Sequence, residues 1–261
     1  MIIEDKSGYV KLPHARATVK QRSDYTPGGP QEQFIVPLLR VAIETQIDCL
    51  LAFSQPNTEV KVLDVGCGNQ PFRNKIETAG ASYRSLDVAS RDGISIDVIA
   101  KIDEPHLPDS VYQNGPYDLV LCSEVLEHVA EWDIAFANFR SMLALSGHLI
   151  LTCPHFFPLH EEPYDFWRPT PHAITFFAEK HGFVVERQER LGTGWDVLGT
   201  FLARQGFRAR SRSLGSRLLN RLCSSIRWRL FGWLRSGYLQ RFVAAQGPFY
   251  LANCFVLRKE E

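Results

Sequence analysis

A chain of 261 residues with 45% hydrophobic side chains can bury one large core plus an appendage, which excludes a disordered or low-complexity protein. Six scattered cysteines without a CxxC pair read as small buried hydrophobes and argue against a disulfide frame or zinc site, while no apolar run of about 18 residues marks a membrane span. Net charge is zero, yet residues 197–259 hold eleven Arg and one Lys with no acid, against 17 basic and 27 acidic side chains in residues 1–196.

Residues 1–30 are polar and end in Thr26-Pro27-Gly28-Gly29-Pro30, a set of turn formers that reads as a flexible lead-in without the apolar core of a signal peptide. A cytoplasmic location is expected. A helix from Gln31 to Phe53 would set Phe34, Leu38, Val41 and Ile43 or Ile47 against a sheet. Strand candidates then alternate with helical segments at Lys61–Val65, Ser82–Asp87, Ile94–Ile99, Tyr117–Cys122 and His148–Cys153. That alternation specifies a parallel sheet covered on both faces. Gly182–Glu186 and Phe249–Leu257 supply a sixth and a seventh strand. The expected fold is α/β: a Rossmann-like, doubly wound, seven-stranded and mostly parallel sheet with a helical insert before the last strand. The chain divides into a flexible segment 1–30, a core 31–193, a basic amphipathic insert 194–246, and a final strand with tail 247–261.

The first strand ends in Asp64 and runs into Gly66-Cys67-Gly68, where glycine permits positive φ and leaves no Cβ in a ligand's way. A dinucleotide fingerprint would need a third glycine where Pro71 stands. The second strand closes on Asp87, a carboxylate placed to accept both hydroxyls of a ribose. The plainer reading, in which both acids cap following helices, does not account for their joint spacing. Together VLDVGCGN, SLDV, YDLVLCSEVLEHV and SGHLILTCP resemble the class I S-adenosylmethionine (SAM) dependent methyltransferases, in the branch with LEH after the fourth strand. The similarity covers Val62 to Pro154 and continues more weakly to Lys259. It implies SAM as cofactor, with Asp64, Gly66, Cys67 and Gly68 around the methionine portion, Asp87 on the ribose, and Ser123 and Glu124 alongside. Lys101 stands where family members usually place an acid to meet the adenine, which leaves that contact unassigned. Glu127 and His128 fall on an early helix turn and are expected to orient neighbouring backbone.

The segment Pro154 to Thr170, dense in titratable and aromatic side chains, leaves the carboxyl end of a parallel strand, the edge where open α/β sheets bind ligands. Removing a hydroxyl proton near neutral pH suits a neutral imidazole. His155 or His160 is the candidate base, with Glu161 or Asp165 as its orienting partner. No metal is expected; competing readings are a divalent site of His155, His160, Glu161 and Asp165, and a purely structural aromatic loop. The stretch HEEPYDFWRPTPHAITFFAEKHGF resembles a segment common in methyltransferases of bacterial surface glycan biosynthesis. That implies a sugar or glycolipid acceptor, met by Tyr164, Asp165, Trp167 and Arg168.

In the acid-free segment, Leu218, Leu219, Leu222, Ile226, Leu230, Trp233 and Leu234 fall near one helical face, widened by Trp228 and Phe231, with Arg217 and Arg221 on another. The pattern suits an anionic membrane or an anionic substrate groove; the alternative packs these helices on the acidic core with solvated arginines. The leading expectation is O-methylation of a saccharide or glycoconjugate. The alternatives are an isoprenoid or other lipid acceptor at the inner membrane face, and a SAM-binding scaffold without turnover. The partners expected are a small-molecule or glycoconjugate acceptor and an anionic membrane surface touched peripherally. Nucleic acid is not expected, because no RNA-binding module accompanies the arginines.

Overall fold

The computed structural model describes residues 25–52, 59–90, 92–206 and 213–260. Phe53, most of the expected lead-in, and Arg208, Arg210 and Arg212 of the basic segment lie outside them. In chain order the elements are α1 (Ile35–Ala52), β1 (Lys61–Val65), α2 (Arg73–Thr78), β2 (Ser82–Asp87), β3 (Val98–Ile99), α3 (Asp109–Tyr112) and β4 (Tyr117–Ser123). There follow α4 (Trp132–Met142), β5 (Leu143–Pro154), α5 (Pro171–Lys180), β6 (Phe183–Leu191), α6 (Gly194–Arg204), α7 (Leu214–Arg235) and β7 (Ala252–Lys259). The sheet order is β3-β2-β1-β4-β5-β7-β6. Neighbours from β3 through β5 pair in parallel, and β7 runs antiparallel between β5 and β6. The strand order therefore reverses between β1 and β4, and the carboxyl ends of those strands open the crevice in which such sheets bind ligands.

Central strands are apolar on both faces because helices cover both. Leu119 and Leu121 of β4 enter the core under α1, while Val120 and Cys122 enter the opposite core with Trp132, Phe136 and Phe139 of α4. On α1 the buried face runs through Ile35, Leu39, Ile43 and Ile47, one residue every four. Val41, expected in the core, is 65% exposed, because it falls outside that stripe. The expected third strand is also shortened to two residues. Asp97 accepts from the Ser85 N–H (2.9 Å) and hydroxyl (2.7 Å), so side-chain bonds replace the ladder there.

The basic insert is helical, as α6 and α7. Thr193 and Asp196 form a capping box at the start of α6, and Ser213 caps α7. Docking depends on Gly199, where a Cβ would stand 2.3 Å from the Phe34 ring; Phe34 in turn meets Phe231 edge to face at 5.6 Å. Phe231 and Leu234 are the buried residues of α7. Leu218, Leu219, Leu222 and Ile226 are 49–64% exposed, so most of the apolar stripe is not packed on the core.

Candidate active site

Past β1 the chain turns through Gly66 and Gly68, both at positive φ, and the turn is tied to β2 by N–H bonds from Gly66 (2.7 Å) and Cys67 (3.2 Å) to the Leu86 carbonyl. A Cβ on Gly66 would collide with Val125 at 2.3 Å, whereas one on Gly68 would meet nothing closer than 3.9 Å. The first glycine thus lets the turn close on the segment after β4, and the second leaves an open approach. Asp87 accepts the Gly68 N–H (3.0 Å) with one oxygen and the Val88 N–H (2.7 Å) with the other. Its carboxylate is thereby fixed at the end of β2. Cys67 is buried, and its position in the turn is set by its backbone.

Asp64 is buried at the end of β1 and accepts the Tyr83 hydroxyl at 2.7 Å. Burial pushes its carboxyl up to about 7; the Tyr83 bond works against that, and the Asp87 charge adds to it. Ser123 ends β4 and reaches the hydroxyls of Thr152 (3.0 Å) and Tyr25 (3.3 Å). Tyr25 also packs on Phe72, ring centroids 5.1 Å apart. It belongs to the expected lead-in, so the last residues of that segment are part of the site wall.

Glu124 has φ of 54°, held by N–H bonds to the carbonyl (3.1 Å) and hydroxyl (3.2 Å) of Thr152. Burial lifts its carboxyl to about 7 against the Thr152 hydroxyl and the Arg168 charge, and its Oε1 is buried without a hydrogen-bond partner among the described residues. Glu127, on the turn Leu126–His128, is fully buried, and its Oε1 also lacks a partner. Burial first, then the Glu124 charge, holds it well above the carboxylate range. Nε2 of His128 and Nε2 of His160 stand 3.8 and 3.9 Å from that Oε1. Among the described residues, Glu127, His128 and His160 group their donor atoms closely enough to hold one ion. Burial, then the His128 charge, lowers the His160 pKa and favours its neutral form.

The loop 155–170 is pinned over this cluster by N–H bonds from Phe166 (2.7 Å) and Trp167 (3.3 Å) to the Glu127 carbonyl. Arg168 donates to both Asp165 oxygens (2.6 and 2.8 Å) and to the carbonyls of Phe157, Pro158 and Trp167. All five guanidinium N–H groups are then committed within the loop. Asp165 accepts the His160 N–H (2.9 Å) and lies 3.3 Å from its Nδ1. His155 stacks on Tyr250 at 4.3 Å with its Nδ1 on the Pro169 carbonyl at 3.0 Å, and the exposed Glu161 shows a φ of 51°. The four residues of the alternative metal reading do not converge; His160 joins Glu127 and His128 instead. Tyr164, Phe166 and Trp167 are exposed, Trp167 with its Nε1–H on the Val129 carbonyl at 2.9 Å. A cleft of about 520 Å³ lies at the amino ends of β4 and β5 beside Asp118 and His148, away from all of these groups.

The methyltransferase-domain profile matches residues 40–188, more than half of the chain, and spans β1 to β6 with every group just described except Tyr25 and Tyr250. The chain belongs to the methyltransferase-domain family. It has the class I methyltransferase fold, the fold expected above with SAM as its cofactor. Among curated relatives it is 28% identical over 103 residues to a ubiquinone biosynthesis O-methyltransferase of Pectobacterium atrosepticum, covering 35% of this chain and 42% of that one. It is 34% identical over 82 residues to the Escherichia coli protein of the same name, covering 27% and 33%. The chain thus spans less than half the length of those relatives. Among solved structures, a sarcosine dimethylglycine methyltransferase described as putative, from Galdieria sulphuraria, aligns with TM-score 0.51 at 14% identity, covering 92% and 93% of the two chains. A Mycobacterium tuberculosis cyclopropane synthase aligns with TM-score 0.50 at 17% identity, covering 92% and 97%. These two likenesses concern the fold alone.

The methyltransferase domain's residues fit its cofactor. The open approach at Gly68, the fixed Asp87 and the buried Asp64 gather at one sheet edge, and Asp64 would ionise most readily against a cation.

Proposed function

We propose that the protein transfers a methyl group from SAM to a hydroxyl of a saccharide or glycoconjugate. The observation that carries this reading is the exposed aromatic set Tyr164, Phe166 and Trp167, held by the Arg168 clamp beside Glu127, His128 and His160. Aromatic faces stack on sugar rings, and the loop leaves the sheet edge that would hold SAM. The cofactor supplies an electrophilic methyl on a sulfonium. The chain's part is alignment of the acceptor oxygen and loss of its proton. Asp64, Gly66, Gly68 and Asp87 would hold the cofactor, with Ser123 and Glu124 beside it. Of the candidate bases, His160 has the orienting carboxylate, Asp165, that the role requires.

A second reading, a lipid acceptor of isoprenoid type at the membrane surface, is favoured by the uncovered stripe of α7 and by the ubiquinone relatives. No helix among the described residues is long and apolar enough to cross a bilayer, so contact would be peripheral. The test is formation of S-adenosylhomocysteine and methylated product with lipid-linked saccharides and with polyprenyl phenols, assayed separately. Product from the phenol arm alone selects the second reading, and SAM binding without product in either arm overturns both.

A further inference from the structure

We propose that Glu127, His128 and His160 bind one divalent transition-metal ion. The argument starts from hydrogens. Nδ1 of His128 lies 2.6 Å from the Tyr164 carbonyl, which only accepts, so Nδ1 carries the hydrogen of a neutral ring and Nε2 presents a lone pair. Nδ1 of His160 lies 3.3 Å from two acceptors, the Pro158 carbonyl and the Asp165 carboxylate. The neighbouring Nη2 of Arg168, 3.5 Å away, already directs its hydrogens to Asp165 (2.8 Å) and Pro158 (3.2 Å). Nε2 of His160 is therefore bare as well.

Both lone pairs face Glu127 Oε1, an oxygen of a fully buried side chain that has no hydrogen-bond partner among the described residues. Even with the carboxyl hydrogen that burial favours on Glu127, no hydrogen bond joins the three groups at their separations, and a buried carboxyl oxygen left alone is costly. Separations of 3.8 and 3.9 Å are too long for a bridging proton. They suit a shared cation. Ligands held about 2.1 Å from a tetrahedral ion stand about 3.4 Å apart, so closure on Glu127 Oε1 needs a contraction of about half an ångström, and all three donor atoms already lie within 4.8 Å of one another. The other ring nitrogen of each histidine is on a backbone carbonyl or carboxylate, the outer arrangement that orients metal-bound imidazoles. Glu124, with its own unpartnered buried oxygen, stands beside the site, and its charge when ionised acts on Glu127.

Two imidazoles and a carboxylate select zinc, manganese, iron or cobalt over calcium, and leave coordination positions open. This placement beside the aromatic loop gives the ion a role that rests on the methyl-transfer reading. With Nε2 of His160 on the ion, the ion would take over the base's part proposed above: an acceptor hydroxyl bound there would lose its proton to water more readily, and the oxygen lone pair would form the bond to the methyl carbon as the carbon–sulfur pair passes to sulfur.

The experiment is titration of the chelator-treated full chain with Co²⁺, followed by visible absorption and equilibrium dialysis, with SAM binding measured by calorimetry as the folding control. One Co²⁺ per chain is expected, displaced by Zn²⁺, with affinity reduced by at least about 100-fold in His128→Ala, His160→Ala and Glu127→Gln and unchanged in His172→Ala. Absence of stoichiometric Co²⁺ on the wild-type chain, or affinity undiminished in all three variants, overturns the site. Stoichiometric Co²⁺ without methyl transfer to any hydroxyl acceptor leaves the site standing and removes the O-methylation reading instead.

Discussion

Asp64 is the group whose replacement tests the energetics of the site most directly. Burial carries its carboxyl from 3.8 to about 7, with the Tyr83 hydroxyl opposing and the Asp87 charge adding. The unfolded chain releases this proton near pH 3.9 and the folded chain near 7, so between those values the folded state binds more protons and loses stability as pH rises. A gap of about three units corresponds to about 4 kcal/mol, fully present above pH 7 and absent below about 3.9. Asparagine copies the shape of the neutral acid. Asp64→Asn is therefore expected to match wild type near pH 4 and to exceed it by about 2–4 kcal/mol near pH 8 in urea unfolding of the SAM-free protein. Bound SAM, which carries a sulfonium and an ammonium, should favour ionised Asp64. Wild type is then expected to release a proton on binding near pH 6.5, seen as a buffer-dependent heat in calorimetry, and the variant to bind more weakly. Parallel stability–pH curves for the two proteins would refute the reasoning, because they would mean that Asp64 ionises alike in both states.

Three further outcomes are expected. Asp87→Ala should weaken SAM binding by about 1.5–3 kcal/mol, the loss of charged hydrogen bonds, and unchanged calorimetric affinity in a folded protein would remove Asp87 from the cofactor site. Arg168→Met strands Asp165, whose side chain is 1% exposed, and should cost about 2–4 kcal/mol while raising hydrogen exchange across residues 155–170; a wild-type melting point with wild-type exchange would show that the clamp contributes nothing. Gly199→Ala drives a methyl into the Phe34 ring and should destabilise by about 1–3 kcal/mol, so an unchanged urea midpoint would contradict the close packing of α6 on that ring.

β1, β4 and the second half of β5 were legible in the sequence because they are buried on both faces and read as apolar runs, whereas β2, Ser-Tyr-Arg-Ser-Leu-Asp, was placed by the acid that closes it. β3 was overdrawn, since the Asp97 N–H donates to the Ser85 hydroxyl and the Ser95 carbonyl accepts from the Gln70 side-chain amide, so side chains replace strand partners there. The turn at Gly66 and the acids at 64 and 87 could be picked out by local spacing. Glu127 and His128 could not be given their place in this way, because the groups they face arrive from His160, on a loop whose path depends on bonds from Phe166, Trp167 and Arg168. Arg168 itself was read as an acceptor contact; counting its five donors against the carbonyls and carboxylate around it needs coordinates. The amphipathic pattern of α7 was visible, but nothing in periodicity says that only Phe231 and Leu234 would be covered.

The position of β7 has a consequence for how the chain comes to be folded. It is paired along both edges, with His148 opposite Arg258 on one side and Phe183 opposite Lys259 on the other. Until residues 252–259 leave the ribosome, β5 and β6 have no strand between them, and the insert 194–246 hangs from an open seam. Such distant pairing slows folding, and unfilled strand edges recruit other chains. A nascent chain stopped anywhere before Ala252 should thus behave as an aggregation-prone intermediate, with cooperative closure delayed until the last strand slots in.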